Sequence, residues 1–239
     1  MARAMAVHPD RVFPTPAQQT LLRQVHLRLI EASELPRFNA LLESEHYLHD
    51  ATLVGAVLRY VAVAANGEWV ALLGYASAGL HLRVRDAWLG WTAEQRERRR
   101  HLITQHSRFL ILPEVRCPNL ASRLLKLAAD RLREDYLRVY GHPVVLVESF
   151  VDPERYQGTC YQAANWQPLG RTAGWARAGR DYYQKHDRPK EPLRFSINDL
   201  KGRLITLQER RRLDCGFEVS DERIADWRAG AGGAERAVG

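Results

Sequence analysis

The sequence predicts a single α/β (α+β) domain in which helices flank a mixed central sheet. Three observations carry that expectation. Asn66-Gly67 joins two β-rich runs, residues 57–64 and 69–76, and supplies the positive-φ positions that a tight antiparallel hairpin wants. Residues 119–140 carry Leu120, Leu124, Leu127, Ala128, Leu132 and Tyr136 at helical spacing, and Gly141 stops them. Residues 144–151 then form a near-continuous apolar run broken only by Glu148 and Ser149, the pattern of a buried central strand.

The remaining elements follow in order. Residues 1–23 mix Pro9, Pro14 and Pro16 with polar residues and read as an extension or short docking arm. Residues 25–30 alternate as a strand does, and Ser33 precedes a helical pattern through Leu35, Phe38, Leu41 and Leu42. Residues 80–84 suggest a third strand after the hairpin. Thr92 with Gln95 is a capping-box signature opening a basic helix to about Gln105. Residues 108–112 are a short apolar run that Pro113 ends. A short helix at 159–165 and strands at 166–170 and 192–197 complete a core spanning 24–198. Residues 199–228 form a basic C-terminal region, and the small, Gly/Ala-rich 229–239 are expected to be disordered.

Composition narrows the function classes. At 46% hydrophobic and 26% charged, the 239 residues can bury a core. Charges interrupt every apolar run short of a membrane span, and no signal peptide opens the chain, so a cytoplasmic protein is expected. Cys117, Cys160 and Cys215 are too scattered for a disulfide framework or a Cys-x-x-Cys metal site. No Walker loop and no His-Glu-x-x-His motif occurs. Lys+Arg exceed Asp+Glu by 35 − 28 = 7, a surplus that favours a polyanion such as nucleic acid.

One strand-to-helix junction is chemically suggestive. In Val115-Arg116-Cys117-Pro118-Asn119-Leu120-Ala121-Ser122, unpaired N–H groups at a helix start make a natural anion site, although Asn119 as a simple N-cap explains the same residues. The segment resembles the acyl-CoA loop of GNAT-type N-acyltransferases, with Arg116, Ala121 and Leu124-Leu125 at matching positions and Cys117 and Asn119 replacing two glycines. That replacement makes ordinary acetyl-CoA a doubtful donor. Residues 144–152 and the run Tyr161 to Gly170 resemble the next strand and helix of the same family. There the resemblance makes Tyr161 the general acid for the leaving group, against a reading as a core aromatic. Together the two segments imply a GNAT-like fold.

A more extensive resemblance spans about residues 30–180. Glu45-His46-Tyr47-Leu48, Arg85-Asp86 with Gly90-Trp91, the run Arg108 to Pro113, Asn119 to Ser122, Glu148 to Asp152 and Gly158 to Trp166 are similar to blocks of the DruA family. That family is named for a component of the Druantia anti-phage system, and its relatives also occur beside transposon genes. The resemblance implies a role in phage defence or mobile-element biology, with other defence or transposition proteins as partners. His49-Asp50 departs from the glycine that relatives often carry there.

Several residues within these blocks admit two readings each. Glu148 inside an apolar strand is either a base of raised pKa or half of a buried ion pair with Arg108, Arg116 or Arg177. Asp152 admits the same two readings, and with Asp86 and Glu148 it could hold Mg²⁺ for phosphodiester cleavage. His46 is a base, a substrate contact or a satisfied histidine at a helix end. Arg85-Asp86 beside Trp88 and Trp91 either grips a nucleotide or forms a structural pair. Arg171, Trp175, Arg177, Arg180 and Lys185, interspersed with Tyr182 and Tyr183, suit a phosphate backbone with unstacked bases. The leading expectation is a nucleic-acid-associated protein with a GNAT-like acyltransferase core and an unknown, non-standard acyl donor. There Glu148 is the base, Tyr161 the acid, and amides near Val115 hold the acyl carbonyl. The alternatives are a non-catalytic DNA-binding subunit that recruits a helicase, transposase or nuclease, and a metal-dependent nuclease.

Overall fold

Residue 63 of the chain lies opposite residue 26, and residue 69 opposite residue 63, so the first three strands form an antiparallel meander. The computed structural model describes residues 12–170, 175–177, 183–185 and 191–196. In chain order the elements are α1 (Pro16–Gln24), β1 (His26–Leu29), α2 (Leu35–Glu45), β2 (Leu58–Val63), β3 (Trp69–Ser77), α3 (Arg83–Leu89), α4 (Ala93–Arg99) and β4 (Ile103–Ile111). Then follow α5 (Leu120–Tyr140), β5 (Leu146–Val151), α6 (Thr159–Ala163), β6 (Gln167–Pro168), β7 (Trp175–Arg177), β8 (Tyr183–Lys185) and β9 (Glu191–Ser196). Seven strands make one sheet in the order β1-β2-β3-β4-β5-β9-β6, while β7 and β8 pair separately. Every described pairing is antiparallel except β4 with β5, which is parallel and crosses over through α5. This is the mixed, helix-flanked sheet that the sequence predicts.

The two faces of the sheet are filled differently. Leu120, Leu124, Ala128, Leu132 and Tyr136 of α5 pack against Leu58, Tyr60, Leu73, Tyr75, Val147 and Val151. On the opposite face Phe38 and Leu42 of α2 meet Val61, Leu72 and Leu110. The Tyr60 hydroxyl donates to Asp135 at 2.8 Å, and Arg131 and Arg138 hold the same carboxylate at 2.6 Å each. A buried carboxylate needs such partners to remain inside.

β4 is irregular, and the irregularity opens the sheet. Gly74 lies opposite Arg108 but Tyr75 opposite His106, so Ser107 is an extra, unpaired residue: a β-bulge. Pairing with β5 runs from Ile103↔Leu146 to His106↔Ser149 and stops at this bulge, although β4 continues to Ile111. Beyond His106 the two parallel strands part.

Three sequence expectations change. Residues 80–84 are not a strand, because β3 already has β2 and β4 on its two edges and no position beside it is open. The chain instead turns into α3, closed by Gly90 at φ +66. The basic helix ends at Arg99, a short 3₁₀ turn follows, and Ile103 already belongs to β4, whose buried Ile103 and Thr104 outweigh the helical pattern. Within the expected extension, Pro16–Gln24 form a helix with a complete Thr15/Gln18 capping box. Residues 1–11, Arg171, Arg180, the region 199–228 and the tail 229–239 lie outside the described residues. Leu124 is fully buried at the α5–sheet contact. Leu124→Ala is therefore expected to lower unfolding stability by about 2–5 kcal/mol in urea melts.

Candidate functional site

The parting of β4 and β5 brings together residues distant in the sequence. His106 is the last β4 residue paired to β5, Ser149 is its partner, and α6 lays Tyr161 against both. The Tyr161 hydroxyl lies 3.1 Å from Ser149 Oγ and 3.2 Å from His106 Nδ1, and Ser149 Oγ lies 3.1 Å from the His106 carbonyl oxygen, to which it can donate. All three are buried. The His106 ring stacks on Tyr75 at 4.7 Å, and Tyr161 meets Trp166 edge-on at 4.9 Å. Burial pushes the His106 imidazole down to about 3 and raises the Tyr161 phenol well above its usual range. At neutral pH the ring is therefore uncharged and the phenol keeps its proton.

A loop from the end of α2 closes the site. Arg108, just past the bulge, donates from Nε to the Asp50 carbonyl and from Nη2 to the Asp50 carboxylate, each at 2.6 Å. This ties the segment 46–52 to β4. His49, in that segment, adopts φ +47, a left-handed conformation that a glycine enters without strain, so the fold keeps at this position the backbone shape a glycine would favour. His46 is buried, and its Nδ1 accepts the Leu48 N–H at 3.2 Å, so the neutral ring carries its proton on Nε2 and acts as a donor. Burial, with the nearby Arg108 charge, lowers His46 to about 4. Tyr47 packs on Tyr156 at 5.4 Å and lies beneath the Arg155 guanidinium, while Arg155 holds Asp152 at 3.6 Å. His46, whose ring lies 4.6 Å from that of Tyr47, and Asp152 are thus linked through Tyr47 and Arg155.

Glu148 does not join them. It neighbours Ser149 on β5, and successive strand residues face opposite sides of the sheet. Both carboxylate oxygens take Arg85 Nη1, at 3.1 and 3.2 Å, and both side chains are 0% exposed. The partner is Arg85, which enters from α3, whereas Arg108 is committed to Asp50 and the side chain of Arg177 lies outside the described residues. Burial drives the Glu148 carboxyl upward, and the Arg85 guanidinium opposes that shift. Arg85 also donates from Nε to Asp86 at 2.9 Å and from Nη1 to the Gly79 carbonyl at 3.1 Å. Expected at a nucleic-acid surface, Arg85 is instead wholly interior. Asp86 and Glu148 are joined through one guanidinium and Asp152 lies with Arg155, so the three carboxylates do not gather. Among the described residues no group of three His, Cys, Asp or Glu is arranged to hold a metal ion.

The loop before α5 is the segment expected to take a donor's diphosphate. Asn119 caps the helix not through its side chain but with a left-handed backbone, φ +68, the conformation that a glycine would supply. The N–H groups of Ala121 and Ser122 have no hydrogen-bond partner among the described residues, while the Ser122 hydroxyl donates to the Asn119 carbonyl at 3.0 Å. These groups fit a phosphate. α1 lies along the same loop: Gln18 donates to the Arg116 carbonyl at 2.7 Å, and Arg123 donates to the Leu22 carbonyl at 3.2 Å. Val115 and Cys117 pack beneath it.

Trp175, Arg177 and Lys185 fall on the β7–β8 ribbon, where Trp175 is opposite Lys185 and Arg177 opposite Tyr183. Trp91 packs partly against Ala78, Ile103 and Leu146. His106 and Ser149 were not legible as site residues in the sequence: His106 stood in the expected tail of the basic helix, and only the bulge aims it at Tyr161.

The family described as Druantia protein DruA matches residues 15–194. The chain belongs to the DruA family. No curated protein matches the sequence. Among solved structures, this DruA-family chain is similar to spermidine/spermine N-acetyltransferase SpeG from Vibrio cholerae in complex with manganese ions, with 12% identity over 74% of this chain and 95% of that one at a TM-score of 0.47. It is likewise similar to AAC(6')-Ib in complex with Parmomycin and AcetylCoA, with 16% identity, 83% and 99% coverage and a TM-score of 0.47. No helix among the described residues is long and apolar enough to cross a membrane.

Two tests follow from this DruA-family site. Arg85→Met strands the Glu148 charge in the sheet and is expected to cost about 3–5 kcal/mol, much of it recovered in Arg85→Met/Glu148→Met. Urea melts of both variants decide; equal losses in the single and double variant would refute the pair's role. His46 and His106 are neutral when folded and gain protons on unfolding below their ordinary value near 6.5. Stability from these groups is complete above that pH and declines as pH falls toward 4 for His46 and 3 for His106. His106→Gln should flatten that decline by about one proton in the linkage slope.

Proposed function

We propose that this DruA-family chain acts in anti-phage defence or on mobile elements by acyl transfer in a nucleic-acid setting, with the parted ends of β4 and β5 as its reaction site. The observation that carries this reading is the Tyr161 hydroxyl, held by Ser149 and His106 where the parallel pairing stops. Tyr161 stays protonated at neutral pH and so stabilises a leaving anion as a hydrogen-bond donor, finally giving it its proton. A leaving group expelled into the same desolvated space becomes more basic, which favours that transfer. The attacking amine forms the new C–N bond and yields its proton to Asp152, the carboxylate that follows the end of β5. Glu148, bound in its ion pair, positions the strand instead of serving as the base.

The acyl donor is held by main-chain N–H groups at Ala121 and Ser122, with Val115, Arg116 and Asn119 shaping the turn before them. It supplies the activated acyl group. Cys117 and Asn119, standing where the resemblance expects glycines, make ordinary acetyl-CoA a poor donor and favour an acyl group on another phosphate-bearing carrier, such as an RNA. The basic charge of the chain suits that carrier, and the setting proposed is the cytoplasm, with nucleic acid and other defence or transposition proteins as partners. A binding subunit without chemistry is the competing reading, favoured by one observation: His46 and His106 are both neutral, and His46 presents a donor instead of a free base.

The two separate in one experiment. Purified protein is incubated with acyl-labelled CoA and acyl-charged RNA, with amine and nucleic-acid acceptors. Label transfer that falls about 10²-fold or more in Tyr161→Phe, with folding intact, supports the acyl-transfer reading. Absence of transfer from every donor, or transfer indifferent to Tyr161→Phe, overturns it.

A further inference from the structure

Between α3 and α4 lies a cavity of about 480 Å³, outside the site described above. That volume falls within the range of small-ligand sites. It is lined by His81, Arg83, Asp86, Gly90, Trp91 and Arg96. Gly90, left-handed at φ +66, makes the turn that faces the two helices across it, and a Cβ there would meet nothing within 4 Å.

The charges in this cavity are unevenly balanced. Asp86 is already engaged at 2.9 Å by the buried Arg85, and reaches Arg96 only at 3.4 Å. Arg83 is exposed and has no ion-pair partner among the described residues. Arg83 and Arg96 therefore give the cavity an excess of positive charge with donors to spare. Trp91 adds an aromatic surface whose position is set by packing on Ala78, Ile103 and Leu146. Asp86 is an acceptor held in place by Arg85 and, through it, by Glu148 of β5. Two guanidinium groups for a phosphate, an indole for a planar ring and a fixed carboxylate for an exocyclic amine are the elements of nucleotide recognition.

We propose that the α3–α4 cavity binds one nucleotide unit, its phosphate on Arg83 and Arg96 and its base against Trp91. The chemistry is shared by a free mononucleotide and by a residue of a single-stranded nucleic acid. This deepens the nucleic-acid setting of the proposed function but does not depend on acyl transfer, because binding is read without any reaction.

The test is a binding titration of the full chain with adenosine monophosphate and, separately, with a fluorescently labelled single-stranded oligonucleotide at fixed salt. Arg83→Glu is an exposed change and is expected to weaken binding about tenfold or more, whereas Lys126→Glu, with the same charge change on α5, should alter it less than about threefold. Trp91→Phe should retain more binding than Trp91→Leu, since stacking survives in the first. Saturable mononucleotide binding with this pattern identifies a free nucleotide as sufficient; the pattern with the oligonucleotide alone identifies a strand as the ligand. Equal effects of Arg83→Glu and Lys126→Glu, or no binding in either arm, overturn the proposal. Transfer activity sensitive to Tyr161→Phe could persist in either case, so the two readings fail separately.

Discussion

A carboxylate in the middle of a buried strand has to be neutralised where it stands, and the way Glu148 meets that demand organises much of this molecule. Desolvating an unpaired charge is far costlier than any single hydrophobic contact gains. Arg85 therefore runs into the interior, and both groups are inaccessible to solvent. Arg85 can arrive only if residues 83–89 are helical and placed beside the start of β4 and β5. The pair thus fixes α3, and α3 carries Asp86, Arg83 and one wall of the α3–α4 cavity.

One residue further along β5 the demand is opposite. Ser149 points away from Glu148, toward α5, and enters a neutral network with Tyr161 and His106. A strand's two-residue period separates these chemistries completely: a charged, structural pair on one face and an uncharged, hydrogen-bonded set on the other. The bulge at Ser107 then ends β4–β5 pairing next to the neutral set. A parallel sheet continued past His106 would have covered Tyr161's neighbours with main-chain bonds. At this parting Arg108 with Asp50 holds the segment 46–52 to the displaced strand.

The N-terminal helix adds a constraint at the third corner. Gln18, Leu22 and the cap at Thr15 hold α1 against the loop before α5, where an anionic carrier group is expected to bind. Left-handed Asn119 preserves the turn that a glycine would have made, because asparagine tolerates that conformation better than most residues.

The sequence by itself determined the elements whose signal is local. The Asn66-Gly67 hairpin, the long α5 stripe, the apolar β5 run and the Thr92 capping box all depend on contacts within a few residues, so periodicity and turn chemistry suffice to find them. The same capping signature at Thr15 and Gln18 was equally present but obscured by Pro14 and Pro16, even though proline at a first helical position favours a helix. Tertiary structure alone decided that residues 80–84 could not be a strand, since both edges of β3 were filled. It alone decided that Glu148 belongs to Arg85, 63 positions away, and not to a nearer or more obvious arginine. And it alone decided that His106 joins Tyr161, because a one-residue bulge reverses which side chains face α5. Pattern reports which face of an element is apolar; only packing selects which distant charge, ring or hydroxyl occupies the space opposite.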